Sequence, residues 1–413
     1  MKAEIITIGD EILIGQTVDT NSAWIGAELS KLGFEITQIS SIPDRRESIL
    51  KILSEVTGRA DVVIITGGLG PTSDDITKQT LCEFFNTTLV TNQEVLGMIE
   101  LMFQRRNLPM TENNRRQADV PASCRVLFNA AGTAPGMWFE KGGTIFISLP
   151  GVPLEMKYIM NEHVLHELKK RFSSRIIIHK NIMTYGTFEA RLAELLIDFE
   201  AQLPSNIKLA YLPSLGIIKL RLTGSGNNLV DLSKQINEQV QKLYATIPDY
   251  IYGEDEETLE MVLGKILKEK QLTICTAESC TGGMVAHMIT SVPGSSTYYK
   301  GSIIAYDNSI KKNILKVKGK TLKENGAVSR EVAEEMAAGA LKLFDCDFAV
   351  ATTGIAGPDG GTPEKPVGSV WISVASKNGV TAEKYQFLHD RETNIKHFSI
   401  AALNMLRLRV LGK

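Results

Sequence analysis

The sequence predicts an α/β protein in three parts: a three-layer α/β/α domain over 1–170, a small α+β module over 175–250, and a second α/β domain over 255–413. Three observations predict it. At 413 residues the chain is longer than one ordinary hydrophobic core serves. Continuous apolar runs alternate with helical stripes in both long segments, as in parallel sheets covered on two faces. The acidic stretch YGEDEET (252–258) interrupts that rhythm and marks a boundary. No internal repeat relates the two large segments.

In chain order, AEIITIG (3–9) reads as a buried strand, followed by a helix with Ile25, Leu29 and Leu32 on one face. ADVVIITGG (60–68) is a second buried strand ending in glycines, and GTIFISLPGVP (143–153) a third ending in Pro-Gly. The helix LEMKYIMNEHVLHELKKRF closes the domain near residue 170. In the middle segment TFEARLAELLIDF reads as a helix and IKLAYLPSLGIIKLRLTG as two extended runs. Leu229, Leu232, Ile236, Val240 and Leu243 form the stripe of a second helix. The hairpin resembles that of a KH-like fold, but lacks the GXXG that clamps a nucleic-acid backbone. A spacer or dimerisation module is expected, and a homodimer would suit an extended three-part chain. Past the boundary, Leu259, Val262, Leu263, Ile266 and Leu267 make an apolar helical face. Strands at 272–277, 301–306, 347–353 and 368–376 then alternate with helices, the longest over 330–343.

Composition narrows the function classes. A hydrophobic content of 43% with 22% charged residues is that of a soluble globular protein. A net charge of -2 gives no general reason to bind nucleic acid or an anionic membrane. The five cysteines (Cys82, Cys124, Cys275, Cys280, Cys346) are odd in number and lack metal-type spacing, which suits free thiols in a reducing compartment. MKAEIITIGDEI reaches acidic residues too soon for a signal peptide, and no apolar run approaches the roughly 20 residues a bilayer requires. A cytoplasmic protein without membrane or direct nucleic-acid partners is expected.

Three strand ends in the C-terminal segment carry chemistry. LTICTA runs into Ser279, and CTGGMVAHMI reads as the helix that follows. A strand-to-helix turn exposes side chains where open α/β sheets bind ligands, and aims unpaired helix N–H groups at an anion or developing oxyanion. Gly282 and Gly283 suggest close approach of a ligand or another backbone. Tyr306 ends a second strand with Lys311 one turn on, and Thr352–Thr353 end a third before the glycines at 354, 357, 360 and 361. A serine hydroxyl needs a base. His287, His389 and His397 fall on helical or peripheral segments, so a phenol helped by a lysine ammonium is the expected base. The residues alone leave bland alternatives open: Ser279 as a helix cap, Tyr306 as a core-edge ring, Lys311 as a solvated charge.

TAESCTGG, YDNSIK, NGAVS (325–329) and TTGIAGPDGG…KPVGSVWI together resemble the C-terminal domain of the CinA family, over about 255–410. The resemblance implies a nicotinamide mononucleotide deamidase fold, with hydrolysis of the carboxamide to nicotinate mononucleotide and ammonia and no cofactor. It implies Ser279 as nucleophile, Tyr306 as base and Lys311 as the group tuning Tyr306. Around the substrate it implies Glu278, Cys280, Thr281, Gly282, Thr353, Gly354, Ala356 and Gly357. Arg391 is expected as a phosphate ligand, or else as a surface ion-pair partner.

In the N-terminal segment Asp10 and Glu11 follow the first strand, Gly67, Gly68, Gly70, Asp74 and Asp75 the second, and Pro150–Gly151 the third. Carboxylates at adjacent strand ends suit Mg²⁺, which shares oxygen ligands with substrate phosphates, and glycines let backbone N–H groups approach those phosphates. Asp10 or Asp74 as a helix cap is the alternative. GDEIL, TGGLGPTSDD, SLPGVPLEM and ENNRRQA resemble the molybdopterin-binding domain in its CinA version. That resemblance implies hydrolysis of ADP-ribose to AMP and ribose 5-phosphate with Mg²⁺, Mn²⁺ or Co²⁺. GTFEA departs from it, with Ala190 where many relatives carry serine. Two rival expectations stand beside this one: a pterin- or nucleotide-binding module without turnover, and a competence or DNA-damage accessory acting through protein contacts.

Overall fold

The computed structural model describes residues 1–70, 76–172 and 176–413. By compactness the chain divides into two units, Met1–His179 with Gly224–Ser233, and Lys180–Thr223 with Lys234–Lys413.

The first unit is built on strands β1 (Lys2–Ile8), β2 (Glu35–Ile42), β3 (Val62–Thr66), β4 (Leu89–Thr91), β5 (Asp119–Pro121), β6 (Arg125–Leu127), β7 (Gly136–Lys141) and β8 (Thr144–Leu149). Six form one sheet in the order β2-β1-β3-β8-β7-β6, while β4 and β5 pair separately. The expected parallel core is present in β2, β1, β3 and β8. The sheet as a whole is mixed, because β7 and β6 continue it antiparallel. Alternation along the strands assigns the two faces. Ala3, Ile5, Val62, Ile64 and Ile147 pack with Ile25 and Leu29 of the helix Thr20–Lys31 and with Met156 and Ile159. Ile6, Ile8, Val63, Ile65 and Phe146 pack with Ile49, Leu53 and Val56 of the helix Arg46–Val56. Each such aliphatic side chain contributes about 1.5–3 kcal/mol by burial. Glu4, buried on β1, is neutralised by a two-pronged bond from Arg59, 2.7 Å on each arm.

The middle module comprises β9 (Ile176–Tyr185), β10 (Ile207–Ser214), β11 (Ile217–Gly226) and β12 (Ile251–Glu254), in the order β10-β11-β9-β12. The expected single helix over 187–199 is two short ones, Glu189–Leu195 and Ile197–Ala201. The long helix Leu229–Thr246 carries the predicted stripe, with Ile236, Val240 and Leu243 buried.

The C-terminal sheet contains β13 (Ile274–Glu278), β14 (Tyr299–Ile304), β15 (Phe348–Gly354), β16 (Ser369–Ser376) and β17 (Gly379–Gln386), in the order β14-β13-β15-β16-β17. The first three run parallel and the last two antiparallel. One face packs Ile274, Val350, Val370 and Ile372 against Leu263 and Leu267, Val285 and Ile289, and the helix Arg391–Val410. The other packs Cys275, Ala277, Ala349 and Ala351 against Val332, Met336 and Ala340 of the helix Arg330–Phe344. That helix approaches so closely that a methyl group on Gly339 would lie 1.9 Å from the Leu315 carbonyl. Leu263→Ala would leave a hole costing about 2–5 kcal/mol. Among the described residues no helix is long and apolar enough to cross a membrane.

Candidate functional site

Register brings the C-terminal groups together. Glu278, the last residue of β13, lies level with Ile304 on β14 and Thr352 on β15. The ladder runs one step further, with Ser279 N–H donating to Thr352 O at 3.0 Å and Ala305 N–H to Glu278 O at 2.7 Å. Ser279, Tyr306 and Thr353 therefore leave the sheet at one edge. They line a cleft of about 260 Å³ together with Cys280, Lys311, Gly354, Ala356, Gly357 and Arg391. Asn308, Ala327, Val328, Ile355, Asp359 and Gly360 complete its wall. Asn308 and Asp359 lie inside the YDNSIK and GPDGG motifs, but nothing in their spacing singled them out. Histidine is absent from the lining.

The turn around Ser279 corrects the expected one. The helix begins at Met284, with Gly283 at its cap position, so Ser279 is not a helix cap and the helix does not start at Cys280. Gly282 and Gly283 have φ of +60° and +100°, a left-handed conformation that favours glycine. That conformation explains the pair, since a side chain on Gly282 would meet nothing within 4 Å. Glu278, expected to touch substrate, is 1% exposed and does not line the cleft. Its carboxylate accepts from Gly283 N–H at 2.9 Å, Val285 N–H at 3.1 Å and Ala286 N–H at 2.8 Å. The helix N–H groups expected to face an oxyanion are thereby occupied. Thr281 and Gly282 also lie outside the lining, the Thr281 hydroxyl meeting Glu278 Oε2 at 2.7 Å and Thr352 Oγ1 at 2.8 Å. The amides of Cys280 and Thr281 donate to no other described residue. Burial pushes the Cys280 thiol up to about 12, which leaves it inert as a nucleophile.

The expected pairing of Lys311 with the Tyr306 phenol is not formed. Lys311 is 1% exposed and donates to the backbone carbonyls of Ala305 at 2.7 Å and Tyr306 at 3.0 Å. Burial lowers its pKa from the ordinary lysine value, partly opposed by Cys280 and Asp307. Tyr306 is 61% exposed, and its hydroxyl accepts from Arg391 Nη2 at 3.1 Å. Arg391 Nη1 donates to Gly357 O at 2.7 Å. Arg391 thus clamps the glycine loop to the tyrosine with one N–H from each Nη, and among the described residues it forms no ion pair, unlike the surface pair that was the alternative. Asn394, fully buried, joins the clamp by donating to Ala356 O at 3.0 Å. Thr353 Oγ1 donates to Ala327 O at 2.7 Å and fixes the NGAVS segment at the rim. Gly354 is small because the β16 backbone crosses it, a methyl there lying 2.6 Å from Ser369 O.

The N-terminal cleft, about 380 Å³, also opens at strand ends. Glu11, Gly67, Gly68, Gly70 and Gly151 line it as expected. Pro150 does not, its carbonyl accepting from Thr66 Oγ1 at 3.0 Å. Asp10 lies in the first turn of the helix Asp10–Leu13, outside the lining, and the cap position there is Gly9. Asp74 and Asp75 lie outside the described residues. Gly67 has φ +109°, and a methyl on it would strike Ile8 O at 2.0 Å, so two strand ends meet there backbone to backbone.

Sequence reasoning missed Thr7, Asp19, Asn21, Asp44 and Thr66 of this lining. Asp19 caps the helix Thr20–Lys31, a signal readable in VDTNS. Burial raises its pKa, but bonds from Ser22 N–H at 2.9 Å and Thr7 Oγ1 at 2.7 Å outweigh that and leave it below the ordinary carboxylate value. Asn21 Nδ2 donates to Gly151 O at 2.7 Å and ties the first and third turns. Among the described residues no three His, Cys, Asp or Glu side chains gather to hold a metal ion by themselves. Glu11 and Asp44 are the carboxylates of the lining besides the capping Asp19. Oxygen donors of this kind suit a divalent ion that takes its remaining ligands from water and phosphate.

Comparison with known proteins gives three family matches along the chain. Residues 4–170 match the probable molybdopterin binding domain, 179–253 the damage-inducible protein CinA KH domain, and 256–410 the CinA C-terminal domain. A CinA-like protein of Cytophaga hutchinsonii is 51% identical over 405 residues, covering 98% of this chain and 97% of the relative. One of Flavobacterium psychrophilum is 50% identical, covering 100% and 99%. One of Salinibacter ruber is 40% identical, covering 98% and 99%.

Proposed function

Because the chain belongs to the CinA family, we propose that its C-terminal domain hydrolyses the carboxamide of nicotinamide mononucleotide through an acyl-enzyme on Ser279. The observation that carries this reading is the cleft itself, lined by a serine, a buried lysine and a tyrosine whose phenol is held by a guanidinium. A neutral Lys311 amine that donates both its N–H groups to carbonyls keeps a lone pair to accept the serine proton. Burial favours that neutral form. The assignment of base therefore moves from Tyr306 to Lys311. Arginine only donates, so the Tyr306 oxygen accepts from Arg391 and its own proton remains for the substrate.

In the first half-reaction Ser279 Oγ loses its proton to Lys311 and bonds the carboxamide carbon, with the oxyanion on the Cys280 amide. Collapse breaks the carbon–nitrogen bond, and Lys311 returns the proton to departing ammonia. Water then repeats the cycle on the ester, giving nicotinate mononucleotide and free Ser279. Ammonia release by purified full-length protein, compared with Ser279→Ala, tests it. Equal rates would refute it.

For the N-terminal domain the reading is a metal-dependent ADP-ribose pyrophosphatase forming AMP and ribose 5-phosphate. Its support is the cleft with Glu11, Asp44 and glycine backbone. Mg²⁺, Mn²⁺ or Co²⁺ would polarise a phosphoryl oxygen there. The rival is a pterin- or nucleotide-binding module without turnover. AMP formation with each metal separates the two; tight ADP-ribose binding without AMP would select the rival. A homodimer is part of the same reading and is measured by sedimentation. A competence or DNA-damage accessory role through protein contacts would require a captured partner and both activities absent.

A further inference from the structure

Glu278 presents a buried carboxylate without a cation: it is 1% exposed and, among the described residues, makes no salt bridge. A charge so placed is costly unless hydrogen bonds satisfy it. Here three backbone N–H groups do, aided by the Thr281 hydroxyl at 2.7 Å and the Thr276 hydroxyl at 3.3 Å. Three of these five donors, Gly283 N–H, Val285 N–H and the Thr281 hydroxyl, converge on Oε2.

This pattern constrains the segment that follows. To return Gly283 to the carboxylate five residues on, the chain must reverse within Ser279–Gly282, which sets the left-handed angles at Gly282 and Gly283. The reversal turns Ser279 and Cys280 toward the cleft, and among the described residues the Cys280 amide donates to no other residue. Thr281 Oγ1 also reaches Thr352 Oγ1 on β15, which ties the turn to the neighbouring strand.

We propose that Glu278 is the positioning residue of this site: its carboxylate folds the Ser279–Gly283 turn and thereby aims the nucleophile and the oxyanion-binding amide of Cys280. The proposal rests on the reading of Ser279 as nucleophile and adds the group that holds it in place. Glutamine at 278 keeps the shape but replaces one oxygen by a donor. Whichever way its amide turns, at least one backbone N–H loses its acceptor and faces another donor.

The test uses the full chain and two readouts. One is steady-state hydrolysis of nicotinamide mononucleotide. The other is the rate at which a fluorophosphonate labels Ser279, which reports on the turn without any substrate. For Glu278→Gln the expected result is a kcat and a labelling rate each lower by roughly tenfold or more, with KM within about twofold and cooperative melting retained. Thr281→Val, a milder lesion, is expected to lower both rates by about threefold. A residue that only stabilised the fold would lower the melting temperature and leave the rates per folded molecule unchanged. Wild-type rates in Glu278→Gln overturn the proposal. If that variant does not fold, wild-type rates in Thr281→Val overturn it instead. A parent protein neither labelled at Ser279 nor releasing ammonia removes the underlying reading and the proposal together.

Discussion

The two clefts occupy the same kind of place, the carboxyl edge of parallel strands, and differ in what their side chains are committed to. In the N-terminal cleft the polar side chains largely hold one another: Thr7 and Ser22 meet Asp19, while Asn21 spans Thr66 and Gly151. The surface offered to a ligand is mostly glycine backbone, with Glu11 and Asp44 beside it. In the C-terminal cleft the supporting groups are equally committed, Glu278 to the turn, Lys311 to carbonyls and Arg391 to the loop. The Ser279 hydroxyl lies among them as the group that chemistry would use. Sheet topology fixes where a ligand would sit, and on the proposed reading the hydrogen-bond commitments decide whether the protein or a recruited ion performs the chemistry.

That contrast breaks most visibly at Ser279. Ser279→Ala is expected to lower ammonia release by at least about 10³-fold while AMP formation from ADP-ribose stays at the parental rate. Parallel assays of one preparation check this, and loss of both activities would dissolve the distinction between the clefts. Next in size is Lys311→Met, expected to cost about 10²–10⁴-fold in kcat. On the proposed mechanism the active form is the neutral amine, so in the parent kcat is expected to fall as pH drops through a midpoint below the ordinary lysine value of 10.5. From that midpoint up to 10.5 the folded protein binds fewer protons than the unfolded chain, so stability rises with pH there. A pH–rate profile and pH-dependent melts measure both.

On the N-terminal side, Glu11→Gln is expected to weaken metal-dependent AMP formation by roughly tenfold and to leave deamidation untouched, as metal titrations of both activities would show. Arg391→Lys keeps the charge but not the fork joining Gly357 to Tyr306, and about a tenfold loss in kcat/KM is expected. The smallest effect is Cys280→Ala, within about threefold by steady-state kinetics, since a thiol raised to about 12 contributes no thiolate near neutral pH.

Much of this architecture was readable in the chain. The β1, β3 and β8 runs, apolar on both faces, are legible as buried strands, and the helix Arg330–Phe344 by its regular stripe. The helix Arg391–Val410 was not placed, because its buried residues, from Asn394 through Ser399 and Ala402 to Arg407, surround the axis and leave no polar face to set a period. In the site, the convergence of Ser279 and Tyr306 follows from their positions just past strand ends, with Lys311 on the helix that follows Tyr306. Their partners do not. Bonds from Lys311 to carbonyls and from Arg391 to Tyr306 join residues by geometry that spacing does not encode. The left-handed angles at Gly282 and Gly283 were misread for a related reason: a glycine pair signals freedom, and only the Glu278 bonds show its use.

The most direct test of the account is mass spectrometry of the full-length protein quenched during turnover of nicotinamide mononucleotide. The account predicts a nicotinate-mononucleotide acyl adduct on the peptide carrying Ser279, absent in Ser279→Ala. Ammonia release by the parent at the same rate as by Ser279→Ala, with no adduct in either, would contradict it.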